Sequence, residues 1–286
     1  MRILLTGSKG QLGTCLKERF PEEWEIIACD SQTLDITDTQ NVFNMVKKFD
    51  PDVIINAAAY TKVDAAETNI DQAFAVNATG TLNLAIAARA IGARFIHVST
   101  EQVFDGKVRM PLNENMAPNP LNVYGQSKLA GEILALNAHV DTTIVRTSWV
   151  YSEHGHNFVK VMLKKGLETP NMRVVKDQIG CPTYAGDLAE AIIRLLKLKY
   201  SPRGLLHFAG NQQMSWADFA QQIFSLAAEK NERYRQVNVE SICTADYQCA
   251  AKRPVYGILD NSTLQNLIEE QIVFTPLSNI IDKLLT

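Results

Sequence analysis

Short apolar runs recur along the first half of the chain, separated by stretches in which apolar residues fall at helical spacing. Ile3-Leu4-Leu5, Trp24 to Asp30, Val53-Ile54-Ile55, Arg94 to Thr100 and Thr143 to Trp149 read as strands. Cys15 to Phe20, Asn41 to Phe49, most of Ala65 to Ile91 and a segment from Tyr124 onward read as helices. The order βαβαβαβαβ predicts an α/β fold with a doubly wound parallel sheet and right-handed crossovers. Past Tyr151 the alternation loosens. Asn157 to Leu163 reads as helix, Val174 to Gln178 as a short strand and Gly180 to Thr183 as a turn. A long helix then covers Asp187 to Leu198, and Gly204 to Ala209 reads as a late strand rejoining the sheet. Trp216 to Ala228 is amphipathic, and Arg253 to Tyr256 begins a final segment. Residues 1–150 are therefore expected to form the main domain, with elements near 184–210 returning to it, and 151–286 a smaller, interleaved lobe.

Composition adds mainly exclusions. A chain of 286 residues with net charge -3 and no basic run gives no reason to expect a nucleic-acid or acidic-membrane partner. No apolar stretch approaches the roughly 20 residues needed to cross a bilayer, and Thr6-Gly7 falls where a signal peptide would still need its apolar segment. The five cysteines are odd in number and contain no C-x-x-C pair. A reduced, cytoplasmic enzyme is the expectation.

Candidate chemistry begins at Thr6-Gly7-Ser8-Lys9-Gly10-Gln11-Leu12-Gly13, between the first strand and the first helix. That context is what a dinucleotide-binding, Rossmann-type loop requires: Gly7 for the turn, Gly10 for close approach to a pyrophosphate, Gly13 for helix packing. Asp30 ends the second strand, where a carboxylate can accept ribose hydroxyls, and Asp35-Ile36 could lie against an adenine. Asn56-Ala57-Ala58-Ala59-Tyr60 places small residues at the carboxyl edge of the sheet, and Asn77 could hold backbone or water behind a lysine. Thr100 arrives at that same edge, whereas His97, inside an apolar run, is read as a core histidine. If Tyr124 opens a helix, its hydroxyl and the Lys128 ammonium share one face one turn apart. The cation is then expected to lower the phenol pKa toward the working range of a general acid.

Six blocks in order resemble the dTDP-4-dehydrorhamnose reductase family of extended short-chain dehydrogenases/reductases along nearly the whole chain. They are Thr6-Gly7-x-x-Gly10-Gln11-Leu12-Gly13, Asn56-Ala57-Ala58-Ala59-Tyr60-Thr61-x-Val63-Asp64-x-x-Glu67, Ser99-Thr100-x-x-Val103-Phe104-Asp105-Gly106, Tyr124-Gly125-x-Ser127-Lys128-x-x-Gly131-Glu132, Arg146-Thr147-Ser148-Trp149-x-Tyr151 and Asp177-Gln178-x-Gly180-x-Pro182-Thr183. The resemblance implies reduction of the 4-keto group of dTDP-4-dehydro-β-L-rhamnose by NADPH or NADH, the last step of dTDP-L-rhamnose synthesis. It puts the catalytic triad on Thr100, Tyr124 and Lys128. Hydride would go to C4 while Tyr124 protonates O4, Thr100 donates to it, and Lys128 holds the cofactor ribose. Cofactor contacts are implied at Gly7, Lys9, Gly10, Gln11 and Leu12, at Asp30, Asp35 and Ile36, and at Ala57, Ala58, Ala59, Tyr60 and Asn77, besides Tyr124 and Lys128. Sugar-nucleotide contacts are implied at Val63, Thr100, Glu101 and Gln102, at Trp149 packing on the sugar, at Gln178, and at Arg253 on a phosphate.

Two departures from the family pattern stand out. Glu101-Gln102 replace Asp-Tyr after the catalytic threonine, which bears on sugar contacts and selectivity. Some relatives dimerise through magnesium held by an acidic residue where this chain has Cys15, a poor magnesium ligand, so no metal and a monomer or weak homodimer are expected. Dehydration is disfavoured because Gln102 cannot transfer a proton as a carboxyl group does. Another nucleotide-sugar reductase or epimerase, or a non-catalytic nucleotide-binding subunit, are the alternative readings.

Overall fold

The protein was analysed as a computed structural model that describes residues 1–268 and 271–286. Its centre is a six-stranded, wholly parallel sheet. The strands are β1 (Arg2–Thr6), β2 (Glu25–Cys29), β3 (Val53–Asn56), β4 (Arg94–Thr100), β5 (Thr142–Thr147) and β6 (Gly204–His207), in the spatial order β6-β5-β4-β3-β1-β2. Strand periodicity sends neighbours to opposite faces. Ile3 and Leu5 thus join one core cluster and Leu4 the other, all three fully buried.

Helices cover both faces, as a parallel sheet requires. Helices α1 (Gln11–Lys17), α2 (Thr39–Phe49), α3 (Thr81–Ile91), α4 (Val123–Ala138), α5 (Phe158–Glu168), α6 (Ala185–Lys197) and α7 (Trp216–Lys230) follow in chain order. Leu16 of α1 packs with Leu188 and Ile192 of α6 on one face; Val42 and Val46 of α2 pack with Leu84 and Ala88 of α3 on the other. Local chemistry starts several of these helices. Asp38, Asn122 and Asn157 accept backbone N–H groups at the starts of α2, α4 and α5, and Ser215 with Asp218 forms a reciprocal capping box at α7. Helix α5 begins one residue later than the sequence reading, because Asn157 is its cap.

The helical stretch before α3 is not one helix. Short turns at Val63–Ala66 and Ile70–Phe74 lead into a π-helical turn over Ala75–Gly80. Beyond the main sheet, Asn171–Val175 pairs in parallel with Asn238–Ile242, so the strand expected from Val174 lies earlier in the chain. These strands border a second core built from α5, α7 and the C-terminal helix Leu277–Leu285.

Chain order reverses at β1, with β2 on one side and β3 on the other, which opens a crevice beyond the carboxyl ends of β1 and β3. The glycine loop emerges there. Gly7 has φ +71°, and a β-carbon on it would lie 2.5 Å from the carbonyl carbon of Ala57, so only glycine fits.

Candidate active site

The crevice is furnished by the ends of β1 to β4. After Gly7 the loop folds back, Gly10 N–H donating to Gly7 O at 3.0 Å, and α1 starts at Gly10 with no side chain capping it. Backbone N–H groups at a helix start left open in this way suit a phosphate. Lys9 is exposed and forms an ion pair with Asp30 across the mouth of the crevice. Lys9 first, then hydrogen bonds from Thr33 and Gln32, hold the Asp30 carboxyl well below the usual carboxylate range. Asp35 accepts from Thr37 within its own turn. Ile36 buries its side chain in the core beneath Gly80 instead of offering it to a ligand. Leu12 is likewise in the core.

Gln11 faces away from the loop. Its Nε2 donates to Val150 O at 3.3 Å, and its Oε1 accepts from Ser152 Oγ at 3.1 Å and Asn157 Nδ2 at 2.9 Å. The side chain therefore ties the loop to the segment from Val150 to Asn157, and only its backbone is left for a cofactor.

The Ala57-Ala58-Ala59-Tyr60 strip follows β3 along the crevice. Asn77 is fully buried and grips Tyr60 twice, accepting from its N–H at 2.8 Å and donating to its carbonyl at 3.0 Å. It also donates to Ser127 Oγ at 3.0 Å. The backbone role expected of Asn77 is therefore met at Tyr60, and its tie to α4 is through Ser127, next to Lys128. Helix α4 comes so close that a β-carbon on Gly131 would lie 2.1 Å from Asn77 O.

Thr100 ends β4, and α4 carries Tyr124 in its first turn and Lys128 one turn on. Thr100 Oγ1 accepts the Gln102 N–H at 3.1 Å and lies 2.8 Å from Glu101 Oε2. Gln102 Oε1 accepts from Asn122 Nδ2 at 3.0 Å, which couples the turn after the threonine to the cap of α4.

The electrostatics differ from the sequence expectation. The Tyr124 phenol is raised, not lowered, by burial first and by the neighbouring Glu101 second, with the Thr100 hydroxyl pulling the other way. Lys128 does not face the phenol with a free ammonium. Its Nζ donates to Val98 O at 2.7 Å and lies 3.1 Å from His97 Nε2. Burial lowers Lys128 to about 8, opposed by the charge of Glu132.

His97 is fully buried, as a core histidine would be, yet its ring is part of the lysine's setting. Its other ring nitrogen lies 3.1 Å from Asn56 Nδ2, whose Oδ1 accepts from Thr6 Oγ1 at 2.7 Å and Ala58 N–H at 3.1 Å. A buried polar chain thus runs from β1 through β3 and β4 to Lys128. Sequence reading missed it: the signal was a polar residue in each of three neighbouring strands, visible only once their order is known. Burial, and then the Lys128 charge, depress His97 well below its ordinary value, so it is neutral.

Toward the second lobe, Trp149 adopts φ +46°, a left-handed backbone that only a well-supported non-glycine residue keeps. Its indole stacks on Trp216 with centroids 3.5 Å apart and planes at 8°. Val63 opens the short helical turn beside the Tyr60 strip, and Asp64 next to it binds Arg253 through two hydrogen bonds, 3.1 and 2.5 Å. Arg253 is therefore held by a carboxylate at the rim, not free. Gln178 is buried and donates to Thr244 Oγ1 at 3.2 Å.

At the Cys15 position the thiol is fully buried, and burial pushes it up to about 12. Cys15, Glu153 and His154 bring their ligand atoms within 4.8 Å of one another. Glu153 Oε1 is already taken by Lys283 at 2.7 Å and by the Tyr184 hydroxyl at 3.1 Å. Among the described residues no helix is long and apolar enough to cross a membrane.

Residues 1–283 match the family described as RmlD substrate binding domain. A dTDP-4-dehydrorhamnose reductase of Aggregatibacter actinomycetemcomitans is 42% identical over 273 residues, covering 92% of each chain. The crystal structure of a dTDP-4-dehydrorhamnose reductase from Clostridium acetobutylicum is 36% identical, with TM-score 0.93 over 100% of both chains. That of the Bacillus anthracis dTDP-4-dehydrorhamnose reductase in complex with NADP is 38% identical, with TM-score 0.89 over 99% of this chain and 98% of that one.

Proposed function

Since the chain belongs to the RmlD substrate binding domain family, we infer that it reduces the 4-keto group of dTDP-4-dehydro-β-L-rhamnose to give dTDP-β-L-rhamnose. It is an NAD(P)H-dependent oxidoreductase of dTDP-rhamnose biosynthesis. The observation that carries the reading is the meeting of Thr100 and Tyr124 at the carboxyl end of β4, on the same sheet edge as an uncapped glycine loop.

A bound reduced nicotinamide supplies the hydride for C4. The rest belongs to the chain. Tyr124 donates its proton to O4 as negative charge develops there, and its raised pKa keeps it fully protonated beforehand. Thr100 donates a hydrogen bond to the same oxygen. Lys128, fixed by Val98 O and His97, supplies the positive charge that holds the cofactor ribose. Gly7, Lys9, Gly10, Asp30, Asp35, the Ala57–Tyr60 strip and Asn77 form the rest of the cofactor site, with Gln11 contributing through its backbone.

Val63, Glu101, Gln102, Trp149, Gln178 and Arg253 form the sugar-nucleotide side. Residues 1–150, with the elements near 184–210 that rejoin them, serve the cofactor, and 151–286 mainly the sugar nucleotide. Either nicotinamide serves as reductant, because Lys9 offsets the Asp30 charge that would repel a 2′-phosphate. The protein works in the cytoplasm as a monomer or weak homodimer. It needs no magnesium: a buried, protonated thiol at position 15 is a poor ligand for that hard cation.

The test is direct. Purified protein is mixed with dTDP-4-dehydrorhamnose and NADPH or NADH, oxidation of the nicotinamide is followed by absorbance, and the sugar nucleotide is identified by NMR. Failure of both cofactors to be oxidised rejects the function.

A further inference from the structure

Glu101 is 5% exposed, and its Oε2 lies 2.8 Å from the hydroxyl of Thr100. That hydroxyl already accepts the Gln102 N–H at 3.1 Å. A threonine hydroxyl has one hydrogen and two lone pairs. With Glu101 ionised, the carboxylate can only accept, so the single hydrogen of Thr100 goes to it and none remains for a substrate oxygen. With Glu101 protonated, the direction reverses. The carboxyl O–H donates to the second lone pair of Thr100, and the threonine hydrogen is released toward Tyr124 and the cleft it faces.

We propose that Glu101 is a positioning residue that sets the direction of the Thr100 hydroxyl, making it a donor to the sugar carbonyl when the carboxyl is protonated and withdrawing that donor when it is ionised. The proposal rests on the reading of the site as that of a sugar 4-ketoreductase. Only a proton exchanged with solvent separates the two states, and no other bond changes.

The surroundings favour a carboxyl that titrates near neutrality. Burial raises Glu101 to about 7, while the Thr100 hydrogen bond opposes the rise. From α4 the titratable group facing it is Tyr124, which its charge perturbs; Lys128, a turn further on, is engaged by Val98 O and His97. From the C-terminal segment Gly257 closes over the side chain, so near that a β-carbon there would lie 3.1 Å from Glu101 Cγ, with Tyr256 adjacent. Arg253 on the same segment is committed to Asp64. No cationic side chain among the described residues pairs with Glu101.

The experiment follows kcat/KM against pH for the wild type and Glu101→Gln. The wild type is expected to lose about tenfold per pH unit above the Glu101 midpoint near 7. In Glu101→Gln, whose amide donates to Thr100 without titrating, that limb is lost and only a later one is left, whatever the plateau value at low pH. An unchanged midpoint in Glu101→Gln overturns the proposal, and so does a folded variant that is inactive at every pH. A second measurement needs no sugar. Difference infrared spectra between the two proteins should contain a protonated-carboxyl band below neutrality that bleaches above it, and its absence overturns the proposal even if turnover is normal. A wild type with the band but no turnover at any pH instead rejects the ketoreductase reading.

Discussion

The Arg146 guanidinium and the Glu132 carboxylate meet in two buried hydrogen bonds, Nε to Oε1 at 2.9 Å and Nη2 to Oε2 at 2.6 Å, with both side chains 2% exposed. The pair joins β5 to α4 one turn beyond Lys128. It fixes the helix that presents the phenol and the ammonium, and its carboxylate supports the lysine's charge. Removing one partner leaves the other charge buried without a counterion. Glu132→Gln should cost about 3–5 kcal/mol of unfolding free energy. Replacing both residues together by methionine should cost less than the single change. Urea titration of the three proteins checks this, and a double variant as unstable as the single would contradict it.

Glu101 also leaves a mark on stability. Its carboxyl holds its proton up to about 7 in the fold, against an ordinary value of 4.5. The unfolded chain therefore releases the proton first as pH rises. The contribution of Glu101 is complete below pH 4.5 and is lost as pH climbs to the folded value, after which it stays lost. By linkage the loss reaches about 3 kcal/mol. Glu101→Gln should thus gain on the wild type across that interval and hold its advantage above it. Parallel unfolding curves from mildly acidic to mildly alkaline pH would refute the buried-acid assignment.

The proposed cofactor site puts the choice between NADPH and NADH on Lys9 and Asp30. Lys9→Ala leaves the Asp30 carboxylate unopposed, so kcat/KM with NADPH should fall by roughly tenfold relative to NADH, a modest effect because the lysine is exposed to solvent screening. Asp30→Ala should move the ratio the other way. Equal responses of both cofactors to either change would place the ribose elsewhere.

Tyr124→Phe removes one oxygen atom and the proton it carries. Cofactor affinity, measured by fluorescence titration, should hold, while kcat falls by about 10²–10⁴, the usual span of a lost general acid. Near-normal turnover would take the acid role from Tyr124.

What could be read from the sequence follows from the range of the interactions. Strand, glycine loop and helix from Ile3 to Leu16 are local and periodic, and the alternation of elements through Trp149 was enough for a parallel doubly wound sheet. The environment of the tyrosine was not readable in this way. Its spacing to Lys128 was correct, but the pKa expectation treated the two groups as an isolated pair in water. In the fold, Lys128 turns to His97 and Val98, 31 and 30 residues earlier, and burial dominates. Trp149 meets Trp216 at the start of α7, and Gly257 reaches Glu101 from much later in the chain. Such contacts depend on topology and leave no trace in spacing.

The buried chain behind the lysine yields the remaining prediction. Among the described residues, Lys128 Nζ has hydrogen-bond partners at Val98 O and His97 Nε2, and the backbone carbonyl cannot be removed by substitution. Neutral His97 has one acceptor nitrogen between two donors, the Asn56 amide and the Lys128 ammonium. Assigned to Nε2, with Asn56 Nδ2 donating to Thr81 Oγ1, it serves the lysine, so His97→Leu removes an acceptor and the ammonium pKa drops below the present value of about 8. Because the proposed mechanism uses the protonated lysine to hold the ribose, the alkaline limb of kcat/KM should move to lower pH. The limb is best read in the Glu101→Gln background, where the earlier carboxyl limb is absent. His97→Gln, which keeps a polar group near Nζ, should restore much of the wild-type profile, whereas a packing role alone would leave the limb unmoved in both variants. A limb at the same pH in His97→Leu, with the protein folded, would show that His97 does not govern the lysine.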